Sequence, residues 1–433
     1  MRFPTLDAWL RWQETLHPAE IELGLERVSA VFARLRPELA PGAFPCPVIT
    51  VAGTNGKGSS VAMLEAILAA AGYRVGVYTS PHLLRYNERV RIAGAEAGDE
   101  ALCVAFERID QARGETSLTY FEFGTLAALD IFAAAALDVV VLEVGMGGRL
   151  DAVNILDPDV ALITSIGIDH AQWLGNDREA IAREKGGILR KGRPGVYSGR
   201  DMPAALAQTA ESLGAELNVL GREFTYHMRR SEWSWQSVEA RRDALPLPAL
   251  RGAHQLDNAA GVLMALACLA DRLPVGQAAV RAGLLEARLP GRFEVLPGEV
   301  TRILDVAHNP EAAAALGEQL AGLPPVGKTR AVVGMLADKD HAGVFSAVAD
   351  QVDQWYLADL QAPRGAKARQ LAEVLGRVLE GRGGSAPVRC FDSVSDACAA
   401  AAADSQSGEG PGGDRIVVFG SFYTVAEALH SDA

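Results

Sequence analysis

Gly53-Thr54-Asn55-Gly56-Lys57-Gly58-Ser59 combines the residue types needed to hold the phosphates of a nucleotide. Glycines let backbone N–H groups approach phosphate oxygens, a helix N-terminus adds partial positive charge, and a lysine adds a whole one. The flanks suit this use. Pro47-Val48-Ile49-Thr50-Val51-Ala52 reads as a short buried strand, and Val61, Met63-Leu64, Ile67-Leu68 and Ala71 recur near helical spacing. The spacing departs from the general phosphate-loop pattern: its first glycine would fall at Val51, and Gly58 holds the place of the hydroxyl, with Ser59 following. ATP is the first candidate ligand.

Other polar residues fall where apolar runs end, the edge at which open α/β sheets place their sites. Ser80-Pro81-His82 follows the run 75–79, Glu143 closes the run 139–144, and Asp169-His170 follow the run 160–166. A hydroxyl from Ser80, a carboxylate from Glu143 and an imidazole from His170, brought to one turn, suit Mg²⁺ bridging nucleotide phosphates. Glu143 among valines and leucines needs a partner charge or a metal. Lys185 follows Ile181 in an amphipathic pattern, where a lysine is ordinarily a solvated surface residue. The alternative is a place beside the metal, where its ammonium would repel the ion unless CO₂ converted it to a carbamate. Arg292 suits a phosphate and Asp305 the ribose or phosphate side, with the second domain closing over the nucleotide, although Asp and Asn309-Pro310 are also ordinary turn formers. The segments 334–340 and 420–425 mark further strand ends, candidates for a second substrate.

The elements that must position these groups alternate. Strand patterns at 48–52, 75–79, 139–144 and 160–166 alternate with helical ones at 59–71, 100–113, 122–136 and 176–190, which predicts a parallel sheet covered on both faces. Residues 215–250, with Phe224, Tyr226, Trp233 and Trp235 among polar neighbours, read as an antiparallel hairpin attached to that sheet. An apolar helix at 258–273 and a turn-rich junction at 287–292 follow. The alternation then restarts with strands at 301–306, 329–334, 354–360 and 415–419 and helices at 310–321 and near 341–350. The Gly/Ser-rich stretch 405–414 reads as a loop. Domains at 1–289 and 290–433 are expected.

At 433 residues the chain exceeds one ordinary core. A net charge of −13 excludes nucleic acid or an anionic membrane as a partner for the chain as a whole. Five scattered cysteines with no C-x-x-C pair imply reduced thiols rather than a disulfide frame or zinc site. The N-terminus lacks the apolar core of a signal peptide, and the apolar stretch 133–144 is interrupted by Asp138 and too short to span a bilayer. A cytoplasmic protein is expected.

Taken in order, the segments 22–28, 53–58, 80–83, 120–122, 143–152, 167–170, 184–185, 252–255, 290–292, 305–310 and 335–340 resemble, over nearly the whole length, the Mur ligase superfamily and within it the bacterial bifunctional dihydrofolate synthase/folylpolyglutamate synthases. Val153, Gly186 and Ala52 depart from the familiar pattern without removing a liganding group. The resemblance implies a P-loop ATPase domain with a mostly parallel sheet and a small antiparallel appendage, then a smaller Rossmann-like α/β domain. It implies an ATP-dependent ligase of folate biosynthesis that joins L-glutamate to dihydropteroate and to reduced folates through an acyl phosphate. On it, Thr54, Asn55, Gly56, Lys57, Gly58 and Ser59 hold ATP together with Asn258, Arg292 and Asp305. Ser80, Glu143, His170 and a carbamylated Lys185 hold Mg²⁺ at two sites, with Lys57, Lys185 and His170 catalytic. Leu23, Gly24, Leu25, Thr119, Tyr120, Phe121, Glu122, Leu150, Asp151 and Ala152 bind the pteroate, and His308 and Ser421 contact glutamate. The family implies a monomer. Two other functions stay open from the residues: a Mur-type ligase acting on a cell-wall precursor, and a nucleotide-dependent switch that consumes no glutamate.

Overall fold

The structure, a computed structural model, describes residues 1–324, 327–362, 364–406 and 413–430. Of the Gly/Ser-rich stretch, 407–412 lie outside the described residues. The chain divides into two compact units, one of 1–249 with 255–288 and the other of 250–254 with 289–433.

The first unit is built on eight strands: β1 (Val48–Ala52), β2 (Val75–Tyr78), β3 (Val90–Ile92), β4 (Ala95–Glu96), β5 (Val139–Glu143), β6 (Val160–Ile163), β7 (Pro194–Tyr197) and β8 (Glu216–Val219). Their order is β4-β3-β2-β5-β1-β6-β7-β8. Every pairing is parallel except those of β3 with β2 and β4. All residues of β1, β2, β5 and β6 are buried, because helices cover both faces, and this is why they read as unbroken apolar runs. After β1 the chain goes to one side of it and later returns to the other, so β1 stands at the switch point of the sheet. The register pairs Val51 with Glu143, Ala52 with Ile163 and Tyr78 with Leu142, which levels the carboxyl ends of β1, β2, β5 and β6.

The antiparallel appendage expected at 215–250 is present and larger than a hairpin. Residues 216–219 join the large sheet as its parallel edge β8, and β9 (Phe224–Arg229), β10 (Glu232–Ser237) and β11 (Arg241–Pro246) form a separate three-stranded antiparallel sheet. The two-residue alternation puts Trp233 and Trp235 on the same face of β10, and both are buried. Each indole finds an acceptor, the carbonyl of Pro246 at 2.7 Å and that of Ala260 at 3.2 Å.

The second unit carries β12 (Glu294–Leu296), β13 (Thr301–Asp305), β14 (Thr329–Val333), β15 (Gln354–Ala358), β16 (Val388–Phe391) and β17 (Arg415–Phe419), ordered β12-β13-β17-β14-β15-β16. Only β12 is antiparallel to its neighbour. Asp305 and Val333 both pair with Phe419, which brings 305, 333 and 419 to one edge. Among the described residues no helix is long and apolar enough to cross a membrane.

Candidate active site

The glycine turn leaves β1 at the switch point. Its helix starts at Lys57, two residues earlier than the apolar spacing indicates, because Gly56 takes φ +88° as the N-cap. Side chains are excluded at both glycines. A methyl at Gly53 would overlap the Thr164 hydroxyl, and one at Gly56 would lie 2.5 Å from Asn258 Oδ1. The end of β6 ties the turn down. Thr54 donates its amide to the Ser165 carbonyl at 2.7 Å, its hydroxyl exchanges hydrogen bonds with Gly167 at 3.0 Å, and Thr164 donates to the Asn55 carbonyl at 2.6 Å. On the helical side Gln255 donates to the Ser59 hydroxyl at 3.2 Å and accepts from Asn258 at 3.0 Å. The turn is therefore a preset cradle above the N-terminus of a helix of 14 residues.

Two lysines converge on it. Lys57 Nζ donates to the carbonyls of Gly53 at 3.0 Å and Thr54 at 3.3 Å. Lys185 Nζ donates to the same Gly53 carbonyl at 2.8 Å. Lys185 is not the solvated residue its helical pattern suggests: it is 4% exposed. Burial, then the neighbouring Lys57 charge, pushes it down to about 7. Two ammonium groups on one carbonyl oxygen concentrate positive charge at the turn, offset in part at Lys185 by Asp169 and Asp151.

Glu143 is buried at the end of β5, with the Ser80 amide 3.4 Å from its Oε2. His170 lies seven residues beyond β6 in a left-handed conformation, φ +53°, capping a single turn at Ala171–Leu174. Leu174 reaches back to within 3.1 Å of where a Gly147 methyl would be, so this turn packs on the loop that follows Glu143. Among the described residues no three His, Cys, Asp or Glu side chains gather as a metal cage. A hydroxyl, one carboxylate and one imidazole fit an ion that completes its shell with nucleotide oxygens and water.

The segments 23–25, 119–122 and 145–152 meet. Gly24 donates its amide to the Leu150 carbonyl at 3.3 Å, Arg27 pairs with Glu122 at 3.0 Å, and Phe121 packs where a Gly145 side chain would stand. Thr119 and Glu122 form a reciprocal cap on the helix Tyr120–Ala134, so their polar atoms hold the segment in shape and Tyr120 and Phe121 present rings. Asp151 accepts amides from Met146 and Val153, and its burial raises it to about 6. Leu25 and Ala152 flank these contacts, the one capping the helix Glu26–Leu35 and the other opening a tight turn.

In the second unit, the Arg292 guanidinium lies 5.0 Å from the Phe422 ring. Asp305 accepts the amides of Phe293 and Ala307, both at 2.8 Å, and burial outweighs Arg292 and those amides to hold its carboxyl above the ordinary range. His308 Nδ1 meets the Val306 carbonyl at 2.8 Å. Ser421 shares a hydrogen bond with the Thr424 hydroxyl at 2.7 Å and caps the helix Phe422–His430.

Family models match in two segments: the Mur ligase middle domain at residues 51–266 and the Mur ligase glutamate ligase domain at 291–422. The dihydrofolate synthase/folylpolyglutamate synthase of Escherichia coli is 48% identical over 98% of this chain and 94% of its own length. This chain belongs to the dihydrofolate synthase/folylpolyglutamate synthase family of Mur ligases. E. coli FolC in complex with DHPP and ADP superposes with a TM-score of 0.90 at 47% identity, covering 99% of this chain and 97% of that one. A bifunctional folylpolyglutamate synthase/dihydrofolate synthase with Mn, AMPPNP and L-glutamate bound superposes at 0.88 and 48% identity, covering 99% and 98%.

For a member of this family, sequence reasoning left three positioning residues without a role: Thr164 and Ser165, which fasten the turn, and Gln255, which joins Ser59 to Asn258. A signal existed for the first two, a pair of hydroxyls at the end of an apolar strand. Gln255 sits in a motif segment but touches Ser59 only through the fold, 196 positions away.

Proposed function

We propose that this chain is an ATP-dependent ligase that joins L-glutamate to dihydropteroate and to the γ-carboxylate of reduced folates. One observation carries the proposal: two lysines, one fully buried, aimed at a single carbonyl of a glycine turn above a helix N-terminus. That geometry suits the γ-phosphate of ATP, and the relatives that bind ADP, AMPPNP, DHPP and L-glutamate support it.

A carboxylate does not react with an amine until an oxygen is made a leaving group. The substrate carboxylate attacks the γ-phosphorus, the bond to ADP breaks, and an acyl phosphate forms. The glutamate amine then attacks the acyl carbon, phosphate departs, and the amine proton is lost as the amide forms. The protein's work is positioning and charge neutralisation. Lys57 and the helix amides offset charge on the transferring phosphoryl, while Thr54, Asn55, Gly56, Gly58, Ser59 and Asn258 fix its place. Arg292 and Asp305 are assigned to the nucleotide, and His308 and Ser421 to glutamate. Segments 23–25, 119–122 and 150–152 take the pteroate.

Ser80, Glu143 and His170 would hold Mg²⁺, which supplies Lewis-acid charge to phosphate oxygens. His170 and Lys185 are assigned to a second ion. A lysine lowered to about 7 has a substantial neutral fraction near neutral pH and is then nucleophilic toward CO₂. Its nitrogen gains a carboxylate and loses a proton, replacing a cation–cation conflict with an attraction. We take the enzyme to work as a monomer, as the family resemblance implies, in the cytoplasm where ATP is plentiful.

Purified protein given ATP, Mg²⁺, dihydropteroate and L-glutamate should release phosphate only when glutamate is present, with dihydrofolate as the product by mass. Glutamate-independent hydrolysis would favour the switch, and turnover of a muramyl nucleotide instead would favour a cell-wall ligase.

A further inference from the structure

A buried cation without a counter-charge lies close in sequence to the proposed metal ligand Ser80. Arg89 is 8% exposed and ends the tight turn Tyr86–Arg89 just before β3. Its Nε–H donates to His82 Nδ1 at 2.8 Å. Its guanidinium carbon lies 5.3 Å from the Tyr86 ring centre and 5.5 Å from that of Tyr120. The two rings meet edge to face at 90°, 5.7 Å apart, and the Tyr78 hydroxyl shares a hydrogen bond with the Arg89 side chain, a neutral partner that leaves its charge unbalanced. Aromatic faces attract a guanidinium but do not neutralise it.

Among the described residues no carboxylate pairs with Arg89. The nearest in sequence, Glu88, accepts the amides of Leu83 at 2.7 Å, Leu84 at 2.7 Å and Arg85 at 2.6 Å. A buried guanidinium left unpaired is costly, and such groups persist where a ligand completes them. The hydrogen bond from Arg89 also fixes the imidazole: Nδ1 is the acceptor, so the ring hydrogen sits on Nε2, a second donor. A guanidinium edge and an N–H, set in an aromatic box, present donors only. They fit a carboxylate carried by an aromatic ligand.

The next step rests on the ligase function proposed above. Tyr120 belongs to the pteroate segment, and His82 follows Ser80 by two positions. Dihydropteroate has one carboxylate, and that one reacts. A folate has two on its glutamyl residue: the γ-carboxylate reacts, and the α-carboxylate stays anionic. We propose that Arg89 and His82 receive this α-carboxylate, serving extension of a folate and not the first ligation.

The test compares kcat/KM for tetrahydrofolate, its α-carboxamide and dihydropteroate in the wild type, in Arg89→Met and in His82→Phe. In each variant the folate value should fall about 100-fold, chiefly through KM, the scale of a truncated buried charge contact, while dihydropteroate changes by less than about threefold. The wild type should lose a similar factor on the carboxamide, and in Arg89→Met acid and amide should react alike. Were Arg89→Met unable to fold, His82→Phe and the carboxamide on wild type would still decide. Equal losses on folate and dihydropteroate, or an unchanged acid-to-amide ratio in the variants, would overturn the assignment. A wild type that uses dihydropteroate but no folate would overturn it alone; one that uses neither would overturn the ligase function as well.

Discussion

The strand ends of the two units differ in what they gather around their polar groups. In the second unit, Asp305 accepts two backbone amides, Asn309 caps the helix Pro310–Ala321 through the Ala312 amide, and Ser421 and Thr424 tie a helix to the Gly334 carbonyl. In the first unit, the ends of β1, β5 and β6 hold two lysines on one carbonyl and a carboxylate within an apolar strand. The second unit fastens its polar groups with backbone amides and capping hydroxyls; the first crowds two ammonium groups onto one carbonyl, where burial and the Lys57 charge push Lys185 down to about 7. Conflict between like charges in a rigid cradle marks where chemistry happens better than the bare presence of polar residues does.

The largest way to break that contrast is Lys57→Met. We expect kcat to fall about 1000-fold with the melting temperature unchanged or raised, since removing one cation relieves the other. Near-normal turnover would take Lys57 out of the mechanism. Gly53→Ala should cost about 3 kcal/mol of stability by denaturant titration, because the new methyl overlaps Thr164 and the strand end holding Thr164 cannot withdraw. Full stability would mean that the cradle is soft.

Lys185→Met sharpens the contrast through pH. The folded protein releases the Lys185 proton near 7, against 10.5 when unfolded, so between those values the unfolded state binds more protons and wild-type stability rises with pH. In CO₂-free buffer the variant should melt higher than wild type at pH 6 and lose that advantage as pH approaches 10. A difference constant with pH would show that Lys185 is not strained. The smallest effect belongs to the second unit. Asn309→Ala should cost about 1 kcal/mol as a lost helix cap and leave the KM for glutamate unaltered.

Much of this was legible in the chain. Strands buried on both faces read as continuous apolar runs, so β1, β5 and β6 are visible in the sequence, and the rule that sites lie at strand ends is what singles out Ser80, Glu143 and His170 as the ligands proposed here. The short strands β3, β4, β12 and β16, at or next to a sheet edge, were not legible, since two to four half-exposed residues carry no periodicity. Lys185 looked like a surface residue because helical spacing reports a face and not what that face meets; Gly53, 132 positions away, decides its burial. Thr119-Tyr120-Phe121-Glu122 carries the spacing of a capping box, and its polar atoms do that work while its rings face the Tyr86 and Arg89 cluster and Gly145.

The most direct measurement follows oxygen. Dihydropteroate with heavy oxygen in its carboxylate, turned over with ATP and L-glutamate, should pass one labelled atom to the released phosphate, because that oxygen bridges carbon and phosphorus in the acyl phosphate. Label left wholly in dihydrofolate or appearing in water, with none in phosphate, would contradict carboxylate activation at the Gly53–Ser59 turn.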